Sequence, residues 1–257
     1  MRFDASTPPT VFVVFAAPPA EREGELHHWY DTVHGPDSLA NGSFRALHRF
    51  VAAGGGWRAA PFLALWEGEY ANEADAWAYI TPRAQALRAE GRAGDADFVR
   101  FSIMLFAVAG AHGAGRTGTG VRTVRTVTTV QNDWRGAADA PDVATWWRRA
   151  GLDERLAAHE GACWLLTSDP AGRGAGHHLA VFATDSSLHD ASRDWEGIGT
   201  PGMSPLPPYR SIFGADTGSG EPAPPPSALA WVMHWAPVVS QRPGELATTD
   251  TTGTTSR

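Results

Sequence analysis

The chain has 257 residues, with 21 basic and 28 acidic side chains and a formal net charge of −7. At about 150 residues per domain this length suits one or two domains, and no apolar run reaches the roughly 20 residues needed to cross a bilayer. The acidic balance, without an arginine stripe, argues against nucleic acid as a partner.

All 21 basic residues are arginine. The absence of lysine excludes Schiff-base chemistry and the Gly-Lys-Ser/Thr phosphate loop. The single cysteine, Cys163, excludes an internal disulfide and a cysteine-cluster metal site. Met1-Arg2-Phe3-Asp4 lacks the basic-then-apolar order of a signal peptide. A cytoplasmic location and no membrane partner are expected.

In chain order, Val11 to Phe15 is a short β-rich run closed by Pro18-Pro19. Leu26, Trp29, Tyr30 and Val33 recur at helical spacing, and Gly35-Pro36 is expected to stop that helix. Phe44 to Val51 alternates as a strand, Gly54-Gly55-Gly56 turns, and Phe62 to Trp66 is the next strand. Asn72 caps a helix carrying Ala76, Trp77, Ile80, Ala84 and Leu87 on one side. Phe98 to Val108 is a further strand, so residues 8–109 read β-α-β-β-α-β.

A glycine-rich linker is expected over 110–120, after which the order returns over 121–216. Val121 to Val130, Cys163 to Leu166, Leu179 to Phe182 and Tyr209 to Phe213 read as strands, with helices over Val143 to Ala158 and Ser187 to Trp195. Trp29-Tyr30 aligns with Trp146-Trp147, and Leu39-Ala40 with Leu156-Ala157, at one constant offset. That is the pattern of an internal duplication of about 100 residues.

The fold class is therefore α+β: two fused ferredoxin-like repeats, each with helices on one face of an antiparallel sheet. The bare sheet faces are expected to cover each other as a pseudo-dimeric α/β barrel enclosing a cavity, so one chain acts as its own dimer, with further homodimerisation open. Residues 217–241 read as a Pro-rich linker and an alternating apolar segment packed over the barrel, and 242–257 as a disordered tail.

The stretch Glu25-Leu26-His27-His28-Trp29-Tyr30-Asp31-Thr32-Val33-His34-Gly35-Pro36 resembles the first-helix signature of EthD-like dimeric α/β-barrel proteins. That signature is an acidic residue, an aromatic pair, then His-x-Pro and a leucine, here Leu39. The second repeat lacks it, with Gly151 and Asp153 standing where His34 and Pro36 stand in the first. The resemblance implies a barrel whose relatives include polyketide cyclases, cofactor-independent anthrone oxygenases, decarboxylases and dehydratases.

His34 leads the candidate catalytic residues because imidazole both takes and gives a proton near neutrality. A histidine in a last helical turn is equally an ordinary helix stop. Asp31, three residues earlier, is placed to orient it, and Tyr30 to supply a phenolic donor. His27, Asp31 and His34 form one helical stripe that offers metal ligands, yet such stripes are commonly solvated, and no metal or cofactor is expected. His48 shares a strand face with Phe44, Ala46 and Phe50, and serves either as a second acid/base or as a core histidine. Trp29, Trp66, Phe44, Phe62 and Trp147 are the expected substrate-binding walls, suited to a flat hydrophobic ligand but equally to packing.

These residues point to a cofactor-independent enzyme acting by acid/base chemistry on a polyketide-like or aromatic molecule: cyclisation, dehydration or decarboxylation. An anthrone-type oxygenase and a non-catalytic metabolite-binding protein are the alternatives.

Overall fold

The computed structural model describes residues 10–53, 61–92, 100–112, 124–132, 143–152, 154, 161–168, 178–195, 200–201, 209–210, 216–217 and 230–241. The first half runs β1 (Thr10–Ala17), α1 (Glu23–Trp29), a π-helical turn (Tyr30–His34), α2 (Gly35–Ala40), β2 (Ala46–Ala52), β3 (Phe62–Gly68), α3 (Glu73–Ala89) and β4 (Arg100–His112). The second half runs β5 (Thr126–Asn132), α4 (Val143–Arg149), β6 (Gly161–Ser168), β7 (His178–Thr184) and α5 (Leu188–Asp194). Short strands β8 (Thr200–Pro201), β9 (Tyr209–Arg210) and β10 (Asp216–Thr217) precede the long β11 (Ala230–Gln241).

The strand order is β2-β3-β1-β4-β6-β7-β5-β11-β8, and β11 also pairs with β2. Eight strands therefore close into a ring. Within it the first half contributes β2-β3-β1-β4 and the second β6-β7-β5-β11, the same ferredoxin-like order twice. Closure needs two seams: β4 on β6, and β2 on β11, both antiparallel. The α+β barrel expected from the sequence is the observed architecture.

Three elements differ from the sequence reading. The second unit's fourth strand is Ala230–Gln241, whereas Tyr209–Arg210, among the described residues, pairs with Asp216–Thr217 in a separate small sheet. The alternating segment is thus, from Ala230 onward, part of the barrel wall and not a cover over it. Three residues of the expected linker, Gly110, Ala111 and His112, instead continue β4 opposite Leu165, Trp164 and Cys163, and the rest of it lies outside the described residues. Finally, Gly35-Pro36 does not stop the first helix.

That last difference has a local cause. The Gly35 N–H bonds the Tyr30 carbonyl five residues back, so the helix widens by one residue before Pro36. A proline ring normally clashes with the carbonyl four residues earlier. The wider turn displaces that carbonyl, and helical backbone resumes with Pro36 in the first turn of α2. The Thr32 hydroxyl donates to the His28 carbonyl at 2.7 Å within the same turn. The helix finally ends at Asn41, with Gly42 at φ +75°, a conformation glycine adopts without strain.

Period-two alternation sorts each strand's side chains onto two faces. Val11, Val13 and Phe15 of β1, Phe50 of β2 and Leu63 and Leu65 of β3 point into the barrel. They meet Trp164, Leu166, Leu179, Val181, Met233 and Trp235 from the second half. The intervening residues Phe12, Val14, Leu47, Phe62, Ala64 and Trp66 face α1 and α3. Val130, Ala180, Phe182 and Val232 do the same under α4 and α5. Among the described residues the inward-facing side chains of the two halves pack on one another, the indoles of Trp164 and Trp235 among them. Trp235 Nε1 donates to Thr129 Oγ1 at 2.8 Å, which satisfies its buried polar atom.

Candidate active site

The residues singled out by the sequence lie mainly in the layer between the helices and the outer sheet face. His34 projects from the π turn onto the Trp29 ring, stacked at 4.2 Å between centroids and 4° between planes. Trp66 meets it edge-on at 5.1 Å from β3, and Tyr30 at 5.3 Å. Phe44 lies 4.8 Å from Trp66 and extends the aromatic wall. The imidazole is half-buried in this ring cluster. Desolvation lowers its pKa from 6.5 to about 4, only partly opposed by the Asp37 carboxylate. His34 is therefore a neutral imidazole at physiological pH.

The expected orienting partner is not in place. Asp31 is exposed and accepts from Arg49 Nη2 at 2.6 Å. The wider i→i+5 turn no longer aligns residues three apart, so Asp31 and His34 diverge, and Asp31 becomes a partner of β2 instead. His27 also leaves the supposed stripe and packs edge-on against Phe62, 5.0 Å between ring centroids. Among the described residues no group of three potential ligands gathers to hold a metal.

Tyr30 is buried between His34 and Arg49, whose guanidinium lies 5.2 Å from its ring centroid. Phe62 and Trp66 sit on the same outer face of β3. Trp147 belongs to the equivalent layer of the second half, where it stacks 6.2 Å from Phe182. It belongs to the other half of the barrel from the first half's ring cluster. His48 goes to the opposite face of β2, into the barrel, with Phe50.

There it meets a residue that the sequence reading did not single out. His48 Nε2 lies 2.8 Å from Glu67 Oε1, the two side chains 0% and 2% exposed. Arg45 Nε donates to the other carboxylate oxygen at 2.8 Å. Burial alone would raise the Glu67 pKa, but the hydrogen bond and charge of His48, then those of Arg45, hold it below the ordinary carboxylate value. The available signal was an acid at the inward position after Leu63 and Leu65, one residue out of phase with the outward-facing Trp66. Arg49 was missed in the same way: it is a cation on the apolar outward register of Leu47 and Val51.

A small cavity, about 20 Å³ and so roughly water-sized, lies under α1 between His27, Tyr30, Arg49, Phe62 and Val238. It borders the His34 cluster through Tyr30. The arrangement as a whole presents a neutral acid/base group among aromatic rings and, one side chain away, a buried cation.

No family model matches the chain, and no curated protein matches it. Among solved structures, the chain is similar to an anthrone oxidase-like protein at 14% identity, over 95% of this chain and 97% of that one, with a TM-score of 0.53. A second similar structure, from Fusobacterium nucleatum and named "Putative monooxygenase", matches at 7% identity over 92% and 96% of the two chains, with a TM-score of 0.48. The first likeness shows the fold. No helix among the described residues is long and apolar enough to cross a membrane.

Proposed function

We propose that the protein is a small-molecule enzyme that moves a proton on a hydrophobic aromatic or polyketide-like substrate, with His34 as the base and then the acid. The observation that carries this reading is the desolvated imidazole at a π turn, stacked on Trp29 and edged by Trp66. π turns within α-helices are rare and frequent at functional sites. The EthD-like motif around His34 supports the same choice, and the repeated strand order supports duplication of one unit whose second copy lost the motif.

The chemistry of such a group limits the substrate. A neutral imidazole whose conjugate acid has a pKa of about 4 is fully available as a base at neutral pH, but is a weak one. It suits protons already acidic, on a phenol, a 1,3-dicarbonyl or an anthrone methylene. Once protonated it is a strong acid, able to return the proton to a leaving hydroxyl or to a second carbon. Cyclisation, dehydration and decarboxylation all use this pair of steps.

A second reading is favoured by the anthrone oxidase-like neighbour. After proton removal the carbanion reacts with O2, so that a methylene and O2 give a carbonyl and water, and all atoms balance. Anthrone in D2O under nitrogen tests the shared first step. The wild-type protein is expected to exchange the methylene protons well above the buffer rate, and His34→Ala to fall to that rate. Equal exchange by both proteins, or none by either, overturns the proposal. Oxygen uptake on admitting air separates the oxygenase from the lyase or cyclase reading.

A further inference from the structure

The cavity under α1 contains a charge that the proton-transfer reading leaves without a task. Arg49 lines it, with a side chain only 6% exposed. Its Nη2 is committed to Asp31 at 2.6 Å and its Nη1 reaches the His27 carbonyl at 3.5 Å. Its Nε is buried and has no hydrogen-bond partner among the described residues. A buried donor on a cation left unmatched is costly, so such a group is normally found with a water or a ligand oxygen.

The rest of the lining sets the chemistry of what enters. Ala16, Leu26, Phe62 and Ala64 are apolar walls, and His27 is half-buried, its pKa lowered by desolvation and then by Arg49, so it is neutral. Val238, at 43%, is the exposed large hydrophobic residue among those described. It sits in the irregularity between Pro237 and Val239, where β11 closes on β2. The cavity thus has a cation, an apolar wall and an apolar lip, with volume for about one oxygen atom and no ring.

We propose that Arg49 binds one carboxylate oxygen of an amphiphilic acid whose apolar body extends out of the cavity over the exposed Val238. The site goes beyond the proposed function: Tyr30 stands between it and His34, and Arg49 gives it a preference for an acid over a neutral molecule. Binding itself does not depend on His34.

The test uses decanoate and decanol with the full-length protein, followed by NMR of the arginine Nε–H groups and by calorimetry. Decanoate is expected to shift the Arg49 Nε–H resonance to saturation, whereas decanol leaves it in place. Arg49→Met is expected to weaken decanoate binding by about tenfold or more, the loss of one charged hydrogen bond. Val238→Glu, which keeps the Arg49–Asp31 pair, is expected to weaken it similarly by placing a like charge at the lip. His34→Ala is expected to bind decanoate as the wild type does while losing proton exchange. An Arg49 resonance indifferent to decanoate, or equal affinity for acid and alcohol, shows that only water occupies the cavity and overturns the inference. If His34→Ala retains exchange while decanoate still shifts Arg49, the catalytic reading fails and the acid site stands.

Discussion

Replacing His34 with phenylalanine keeps an aromatic ring on Trp29 but removes the titrating group, and so isolates the desolvation on which the proposed chemistry depends. The histidine pKa falls from 6.5 in the unfolded chain to about 4 in the fold. Between those values the unfolded state binds the extra proton, so wild-type stability rises with pH through this window and levels off above it. A shift of this size corresponds to roughly 3 kcal/mol, and the partly open ring brings the expectation to about 1–3 kcal/mol. Urea unfolding of both proteins at intervals from pH 4 to pH 7.5 measures this, because titration of the other groups cancels in the difference. The wild-type minus His34→Phe difference should climb by that amount from pH 4 to pH 6.5 and stay flat beyond. A difference that does not change with pH would mean a solvated imidazole, and the argument for a weak base suited to acidic protons would lose its basis.

The buried pair inside the barrel gives a second expectation. Glu67→Gln should destabilise by about 2–4 kcal/mol, since it removes the buried carboxylate that His48 and Arg45 both contact, Arg45 keeping only its longer contact to the exposed Glu69. A double-mutant cycle with His48→Leu should return a coupling of at least about 1 kcal/mol, and additive effects would show that the contact contributes nothing. Because the Glu67 pKa is depressed, this contribution is present above the unfolded carboxylate value and is lost as pH falls through the lower folded one. The N-caps offer a simpler check. Asn72 accepts from the Asp75 N–H at 2.9 Å and Ser187 from the Asp190 N–H at 3.2 Å, so alanine at either position should cost about 1 kcal/mol, read as a Tm lowered by roughly 2–4 °C.

Much of the architecture was legible because it rests on alternation. Phe62, Ala64 and Trp66 against Leu63, Leu65 and Glu67 already encode a strand buried on both faces, and Asn72 marks its helix start by ordinary capping chemistry. What alternation cannot supply is which face looks inward. His48 and Phe44 precede or enter the same strand at even positions, yet one is inside the barrel and the other packs outside on Trp66, because β2 starts only at Ala46. The π turn was equally hidden, since Gly35-Pro36 carries a stop signal and only the backbone reveals that one extra residue accommodates the proline. That single insertion separated Asp31 from His34 and delivered it to Arg49. The last strand was misplaced because Tyr209 to Phe213 and Leu229 to Ala236 both alternate, and only the pairing with β5 and β2 chooses between them.

The ring of strands is sealed by its final member. Until Ala230–Gln241 emerges during synthesis, β2 and β5 each present a naked edge ready to pair with another molecule. A ribosome stalling before that point, or a protease removing the closing strand, would release a sticky, open-sided half-product, so this one strand guards the barrel against aggregation.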